Sequence, residues 1–329
     1  MRPRSGAGGA VVLAFIGVIL IGGSNAVAIR LGNVELAPFW GASLRLALAA
    51  ALLLVVMGAR RSPLPRGRAA VGVLLYGLTA FAGSYAALYW GLVEAPAPTA
   101  MIVIATVPLM TLVIAVAAGQ EQLSGRGVVG ALIALAGVAI IVGDQLSAAV
   151  PMPSLVALFV GAAFIAIYSV LVKHFPRVDP VTANGLGMAV GAPVLAALSL
   201  VAGEPWLLPR EPATWASVVY LALVGSIALF ILVLYVLGRW SASASSYSTL
   251  AMPLVTIVLA AVMLGESVGL QFLVGASVAL AGVYVGVFSR QRAATTPPAS
   301  EQPDVTAPGS PQPVPVGAEA EPDPSPRIG

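Results

Sequence analysis

The chain has 329 residues, of which 59% are hydrophobic and only 9% are charged, with a net charge of +3. Soluble domains carry roughly 25% charged residues, so the composition excludes an ordinary water-facing globular fold. There is no cysteine and one histidine, His174, which excludes disulfides and argues against a histidine-based metal or catalytic centre. The cations lie mostly between apolar segments, where they report membrane topology rather than nucleic-acid binding.

The apolar residues occur in segments of about 20, the length a helix needs to cross the roughly 30 Å hydrocarbon layer of a bilayer. We therefore predict an all-α integral membrane protein with ten transmembrane helices. The predicted helices are residues 11–30, 37–57, 69–92, 98–119, 126–143, 154–173, 181–202, 214–237, 243–263 and 269–289.

The loop cations predict a plasma-membrane protein with both termini in the cytoplasm. In that orientation only Arg30 and Arg210 lie outside, and twelve cations lie inside, as the positive-inside rule requires. The cytoplasmic set is Arg2, Arg4, Arg60, Arg61, Arg66, Arg68, Arg126, Lys173, Arg177, Arg239, Arg290 and Arg292.

Composition divides the chain into regions. Residues 1–10 are predicted to be a cytoplasmic N-terminus, and residues 11–143 and 154–289 hold five predicted helices each. Residues 293–329 are rich in Pro, Ala, Ser and acidic groups, with few large apolar side chains. Such a segment cannot bury enough surface to offset its ordering entropy. We expect a disordered cytoplasmic tail, either inert or used to bind a partner.

The two sets of five helices are related by a shift of 145 residues. Pro108 then aligns with Pro253 and Glu121 with Glu266, and residues 135–138 and 280–283 both read Leu-Ala-Gly-Val. An odd number of spans per half requires the second half to insert upside-down relative to the first. Inverted repeats are the architecture of transporters that work by alternating access around a midplane site.

This doubled pattern resembles the EamA-type transporters of the drug/metabolite transporter superfamily. In each half a proline precedes a glutamate by thirteen residues, and Gly and Leu-Ala-Gly-Val follow. The segments 23–30 and 42–46 are also similar to the opening of that family. The resemblance implies export or exchange of amino acids, other metabolites or drug-like molecules through a central cavity. Gly22, where the family often carries Trp, removes one expected aromatic contact.

Two polar residues fall within predicted spans. Arg45 is the only charge well inside one, where insertion costs on the order of 2.5–3.5 kcal/mol. It is either an anchor for a substrate carboxylate or phosphate or a structural residue bonded to helix-end carbonyls. Asn25 follows Gly22 and Gly23, which would let the helix unwind next to a cavity. Its alternative role is a hydrogen bond between packed helices.

Aromatic and hydroxyl side chains supply further candidates for the substrate pathway. Tyr85 on the third predicted helix suits either a pocket for amphipathic solutes or the aromatic belt at the membrane surface, and Tyr168 and Tyr235 are similar candidates. Thr249 and Thr256 lie on a polar stripe of the ninth helix, where hydroxyls either line a path or bond back to their own helix.

Other residues are expected to shape the helices. Pro108 and Pro253 are predicted to kink their helices and give motion to each half. Glu121 and Glu266 are interpreted as helix ends that cap neighbouring backbone groups. Gly282 and Gly286 form a small-residue face that predicts close helix packing or a homodimer contact.

The absence of certain residue types from the predicted spans limits how transport could be driven. No carboxylate lies deep in a predicted span, whereas proton- or sodium-driven carriers usually place one along the path. This favours facilitated export or exchange of a small-molecule substrate, with no cofactor, no metal and no partner besides the lipid bilayer and a possible second copy. A membrane-embedded enzyme would need a positioned nucleophile or carboxylate pair. A non-transporting assembly or regulatory protein has only the tail to support it.

The cation asymmetry yields a test of topology. The chain lacks cysteine, so single cysteines introduced at Ser62, Pro209 or Ala293 report their own exposure. In intact cells an impermeant thiol reagent should label position 209 and spare positions 62 and 293. Labelling of position 62 from outside would reverse the predicted orientation.

Overall fold

A computed structural model of the chain describes residues 5–95, 100, 103–142, 150–264 and 270–294. These residues form helices and short connections, and no strand occurs among them. The described part of the protein is therefore all-α, as predicted. The helix labels below group adjoining helical segments.

The first half begins with two uninterrupted helices, and its third helix contains a π-helical segment. The helices are α1 (Ser5–Gly32), α2 (Pro38–Ala59), α3 (Arg68–Tyr76, π-helical Gly77–Gly83, then Ser84–Glu94), α4 (Val107–Ala117) and α5 (Gly125–Val142).

The second half repeats this order, including the π-helical segment. Its helices are α6 (Met152–His174), α7 (Pro180–Val201), α8 (Pro212–Ala222, π-helical Leu223–Ala228, then Leu229–Leu237), α9 (Ala242–Ser246, then Ser248–Leu264) and α10 (Leu270–Ala294). Because α10 continues to Ala294, the first two residues of the predicted tail are helical. Residues 295–329 lie outside the described part of the chain.

Six described helices are long and apolar enough to cross a membrane, which makes this a multi-pass membrane protein. They cover Gly9–Ile29, Pro38–Ala59, Arg68–Gly91, Met152–His174, Pro180–Val201 and Pro212–Leu237. Three shorter apolar helices cover Val103–Ala117, Gly125–Ile140 and Leu273–Gly286.

Proline begins several of these helices. Pro38, Pro180 and Pro212 lie at the first position of α2, α7 and α8, where a missing N–H breaks no intrahelical bond. At α7 the Asp179 carboxylate also accepts hydrogen bonds from the N–H groups of Val181 (3.0 Å) and Thr182 (3.2 Å). Local sequence thus fixes where each of these helices starts.

Equivalent helices of the two halves pack against each other in opposite directions. Gly130 of α5 faces Gly286 of α10, and Gly137 faces Ala279, so residue numbers fall along one helix as they rise along the other. A methyl group on Gly282 would overlap the backbone of Ala134. Glycine therefore lets the two backbones touch, the arrangement by which membrane helices associate closely.

The second pair of equivalent helices, α2 and α7, is also antiparallel. Near the start of α2, Ser43 Oγ donates to the Ala192 carbonyl (2.9 Å) in the second half of α7. Gly185, in the first half of α7, packs against Leu53 and Met57 near the end of α2. The remaining main contacts also occur in corresponding pairs. In one set α3 and α4 both pack on α6, and in the corresponding set α8 and α9 both pack on α1.

The structure corrects the prediction that the glycines unwind α1, and it places the Gly282 face in close helix packing. Gly22 and Gly23 do not unwind α1, which is helical from Ser5 to Gly32. Instead they let Met252 and Val255 of α9 approach α1 closely, and Thr256 Oγ1 donates to the Gly23 carbonyl at 2.7 Å. The Gly282 face packs against α5 within the chain, so it gives no support for a homodimer.

The glycine contact between α5 and α10 predicts a specific loss of stability. Gly282→Ala should destabilise the protein by about 1–3 kcal/mol, because two backbones must separate to admit the methyl group. Gly58→Ala is the matched control, since nothing lies within 4 Å of a methyl group added there. Thermal midpoints of the purified variants in detergent check this, and equal midpoints would contradict the packing.

Candidate functional site

A cavity of about 810 Å³ opens at the end of the bundle where α3 and α7 begin and α6 and α8 end. Its walls come from both halves of the chain, and the apolar part includes Val73, Phe175 and Leu234. The polar and charged side chains that line it are Tyr76, Gln120, Lys173, Arg177, Tyr235 and Arg239. The cavity is large enough for a small organic solute.

At the opposite end of the bundle, the described residues form a contact between the α7–α8 connection and the start of α2, which we call the closure. The Glu204 carboxylate accepts hydrogen bonds from the backbone N–H groups of Phe39 (3.1 Å) and Trp40 (2.9 Å) in the first turn of α2. The Trp40 ring stacks on Trp206 with centroids 4.4 Å apart. A carboxylate at a helix N-terminus is favourable in both charge and hydrogen bonding, so this contact is a stable closure.

Glu35 makes two further hydrogen bonds at the same end of the bundle. Its carboxylate accepts from the backbone N–H groups of Glu211 (3.1 Å) and Arg210 (3.0 Å). The bond from Glu211 is the main cause that holds the pKa of Glu35 below its ordinary value. Bonds from Thr214 and Arg210 lower this pKa further, and desolvation opposes them. The α1–α2 connection is thereby tied to the start of α8.

A cluster of aromatic rings forms the inner end of the cavity. Tyr76 lines the cavity and meets Phe81 and Tyr168 edge-on, with centroids 5.3 and 5.9 Å away. Phe81 packs in turn on Phe230 at 4.7 Å and lies 6.5 Å from Tyr85. We call Tyr76, Phe81, Tyr168 and Phe230 the aromatic partition. Among these four rings only Tyr76 lines the cavity, and the other three lie buried behind it.

A buried hydrogen bond fixes the partition. The Tyr76 hydroxyl donates to Asn184 Oδ1 of α7 at 2.9 Å, and Asn184 is fully buried. No described residue accepts a bond from Asn184 Nδ2. Since an unpaired buried N–H group is costly, this amide is available to a polar group that passes the partition.

Arg45 lies beyond the partition and is 2% exposed. Its Nη2 donates to the Tyr85 hydroxyl, and its guanidinium carbon is 4.6 Å from the centroid of the Tyr85 ring. Within the described ranges Nε and Nη1 have no acceptor. Nε carries one N–H group and Nη1 carries two, on different edges of the guanidinium. Each edge that can bind a carboxylate at two points pairs one of these nitrogens with Nη2.

Asn25 contacts the π-helical segment of α8. Its Nδ2 donates to the Gly225 carbonyl at 3.0 Å, and a side chain at Gly225 would overlap Asn25 Oδ1. Neither Asn25 Oδ1 nor the hydroxyl of the adjacent Ser226 finds a partner in the described part of the chain. Asn25 thus joins the two halves, which is the helix-packing role. It does not line the described cavity, and its place on the substrate pathway stays a prediction.

The other predicted pathway residues occupy different places. Tyr168 belongs to the partition, and Tyr235 lines the cavity with the Arg239 guanidinium 3.5 Å from its ring centroid. Thr249 Oγ1 donates to the Ser246 carbonyl of its own helix at 2.8 Å. Thr256 bonds to its own helix and to α1, so it connects helices and does not line the described cavity.

The predicted structural residues occupy different positions along their helices. Pro108 is in the first turn of α4, after a turn at Thr106, whereas Pro253 lies inside α9. The Glu121 carboxylate accepts from the backbone N–H of Ser243 (3.1 Å) and from its hydroxyl, which ties the α4–α5 connection to the start of α9. Glu266 lies outside the described residues.

Sequence reasoning missed three polar residues of the site. Tyr76 and Asn184 meet only through the packing of α3 on α7, and Gln120 donates to the Val170 carbonyl at 3.1 Å with its Oε1 unpartnered. One signal was present in the sequence, at Gln120. This residue separates Gly119 from Glu121, whereas in the second half Gly265 directly precedes Glu266. The contact between Tyr76 and Asn184 has no counterpart in sequence spacing.

Comparison with known proteins matches both halves of the chain to one family. Residues 9–143 and 152–288 each match the model of the EamA-like transporter family. A Streptantibioticus cattleyicolor protein named "Probable terminal-alkyne amino-acid exporter" is 30% identical over 275 residues, which cover 78% of this chain and 84% of that protein.

Two further relatives are each named "Probable amino-acid metabolite efflux pump". The Salmonella typhimurium protein is 27% identical, covering 82% of this chain and 92% of its own, and the Escherichia coli protein is 28% identical, covering 84% and 94%. A solved crystal structure shares the fold with a TM-score of 0.71 at 22% identity, covering 84% of this chain and 98% of that one.

The aromatic partition predicts restricted access to Arg45. In inside-out vesicles a cysteine at Tyr89, beyond the partition, should react slowly with a thiol reagent. Tyr76→Phe should speed that reaction about threefold to tenfold, because it removes one buried hydrogen bond, and Tyr76→Ala should speed it further by removing the ring. A cysteine at Ala69, in the cavity wall, should react equally in all backgrounds. Unchanged labelling at position 89 would contradict the partition.

Proposed function

Because the chain belongs to the EamA-like transporter family, it is a membrane transporter of small metabolites rather than an enzyme, and we propose that it exports or exchanges amino-acid-like or drug-like solutes by alternating access. The three relatives named as exporters or efflux pumps support outward transport of amino-acid-like compounds. The cavity walls, drawn from both halves, support a path between them.

We propose ten membrane spans arranged as two inverted repeats, residues 11–143 and 154–289. Two observations support this arrangement. The equivalent helices α2 and α7 are antiparallel, and so are α5 and α10, which is what a two-fold axis in the membrane plane produces. The π-helical segments also correspond, since adding 145 to residues 77–83 gives 222–228, and the second segment is Leu223–Ala228.

We propose a state open to the cytoplasm, with both termini on that side of the plasma membrane. The cavity opens at the end that carries Lys173, Arg177 and Arg239, and the positive-inside rule assigns this end to the cytoplasm. The closure by Glu204 and the Trp40–Trp206 stack lies at the other end. Alternating access requires that this outer closure open after the partition has passed the solute.

The observation that carries the proposed substrate site is the buried Arg45, whose Nε and Nη1 have no acceptor among the described residues. A charge at this depth is costly unless it finds an acceptor, and the Tyr85 hydroxyl takes one N–H group of Nη2. A solute carboxylate would accept at two points from one edge of the guanidinium, Nε with Nη2 or Nη1 with Nη2. The rings of Tyr85 and Tyr89, stacked 6.0 Å apart, offer an apolar surface for the rest of the solute.

Counterflow in proteoliposomes tests the function directly. Vesicles containing the protein and loaded with an unlabelled amino acid should accumulate the labelled compound faster than vesicles without protein. A panel of apolar and polar amino acids identifies the class that is carried. Absence of counterflow for all amino acids and related metabolites, with correctly inserted protein, would reject the proposal.

Arg45→Lys tests the role of the guanidinium. Lysine retains the charge but loses the planar arrangement that binds a carboxylate at two points. The variant should insert normally and bind anionic solutes about ten times more weakly, since one charge-assisted hydrogen bond is worth roughly 1.5 kcal/mol. Arg66→Lys, at an exposed loop position, is the control. Equal loss for neutral and anionic solutes would make Arg45 a structural residue.

A further inference from the structure

The mouth of the cavity is positively charged. Among the described residues that line the cavity, three are cations, Lys173, Arg177 and Arg239, and none is acidic. The packing of α6 and α8 brings them to one opening, which their separation along the chain does not reveal.

These cations are held in place by backbone carbonyls at the end of α8. Lys173 Nζ donates to the Trp240 carbonyl (2.5 Å) and Arg177 Nη2 to the Gly238 carbonyl (3.1 Å). Arg239 Nη1 donates to the Tyr235 carbonyl at 3.1 Å. The C-terminal carbonyls of a helix carry partial negative charge, so they attract the three side chains to the same place.

The carbonyls do not use up the capacity of this cationic mouth. A guanidinium has five N–H donors and an ammonium three, and each of the bonds above uses one. Glu121 attracts Lys173 more strongly than Arg177 repels it. Glu121 is not among the described residues that line the cavity, and its carboxylate oxygens accept bonds from Ser243. The N–H donors of the three cations are therefore the charged groups that a solute entering the cavity meets.

We propose that the cationic mouth is a recognition site for solutes that combine a carboxylate with an apolar body and carry net negative charge. The apolar wall, which includes Val73, Phe175 and Leu234, faces the same space. The mouth precedes the partition, so it is separate from Arg45 and is the first of two anion sites on the path. The proposal rests on the transport function proposed above.

Charge, rather than size, is the basis of this selectivity. A cleft lined by one sign of charge concentrates the electric field and raises the local concentration of counter-ions. An anion gains the full attraction, a zwitterion gains only the difference between its two ends, and a cation is repelled. The order of binding should therefore be anion, zwitterion, cation for solutes with the same apolar group.

A matched series with one phenyl ring tests this order: 3-phenylpropionate, phenylalanine and phenethylamine. Calorimetry on the purified full-length chain measures binding. In the Arg177→Gln/Arg239→Gln variant, the Kd of 3-phenylpropionate should rise about tenfold and that of phenylalanine by less, since each partly exposed charge pair contributes modestly. Raising KCl from about 0.05 M to about 0.5 M should weaken anion binding in the same order, because salt screens the field.

Two control variants separate charge from structure. Arg60→Gln/Arg66→Gln removes the same charge from exposed loop positions outside the cavity and should leave the three Kd values unchanged. Arg177→Lys/Arg239→Lys keeps the charge and should stay near the wild type. Equal loss for all three solutes, or an equal effect of the loop variant, would overturn the cationic mouth.

Binding and transport can fail independently. If the wild type binds the anion no better than phenethylamine, the cationic mouth is wrong even when counterflow of amino acids succeeds. If the wild type shows the predicted order of binding but no counterflow of any solute, the mouth stands and the proposed transport cycle is wrong.

Discussion

Inside a bilayer, close packing has to hold the helices together, because lipid tails solvate apolar side chains as well as another helix does. In this protein the closest packing lies between equivalent helices of the two halves. Gly130, Gly137 and Gly282 let the backbones of α5 and α10 touch, and Gly185 lets α7 lie against α2. Each half therefore depends on the other for its tightest contacts, and the antiparallel pairs fix how the halves meet.

The bilayer environment also decides which buried polar groups remain able to bind a solute. Most buried hydroxyls return to carbonyls of their own helix, as Thr111 (2.8 Å), Ser169 (2.8 Å) and Thr249 (2.8 Å) do, and this satisfies them locally. Amides and guanidinium groups cannot be satisfied so simply, because they carry several donors or acceptors. Among the described residues, nothing accepts a bond from Arg45 Nε and Nη1 or from Asn184 Nδ2, and these donors are the binding capacity that we propose for the centre of the bundle.

The sequence predicted the helices and the duplication, because both depend on patterns along the chain. Hydropathy marks each apolar segment, and the 145-residue shift aligns Pro108 with Pro253. Arg45 was also found from sequence, since the cost of a charge in lipid does not depend on its neighbours. The family matches then supported transport, although none of the comparisons tests the individual site residues.

The contacts between helices were not predictable in the same way. Tyr76 reaches Asn184 across 108 residues of sequence, and a one-residue change in helix register would separate them. The cationic mouth depends on where α6 and α8 end relative to each other. Gly22 suggested unwinding of α1, but α1 remains helical because its glycines pack against α9. The kink suggested by Pro108 stays a prediction.

The proposed anionic solute would also account for outward transport without a carboxylate in the predicted spans. Moving one elementary charge across the membrane potential is worth about 2.3 kcal/mol per 100 mV. With the cytoplasm negative, the potential would drive a monoanion outward and support a concentration ratio of roughly 50-fold at equilibrium. In this proposal the cationic mouth collects anions and Arg45 receives them without a coupling ion, because the charge of the solute itself would couple export to the membrane potential.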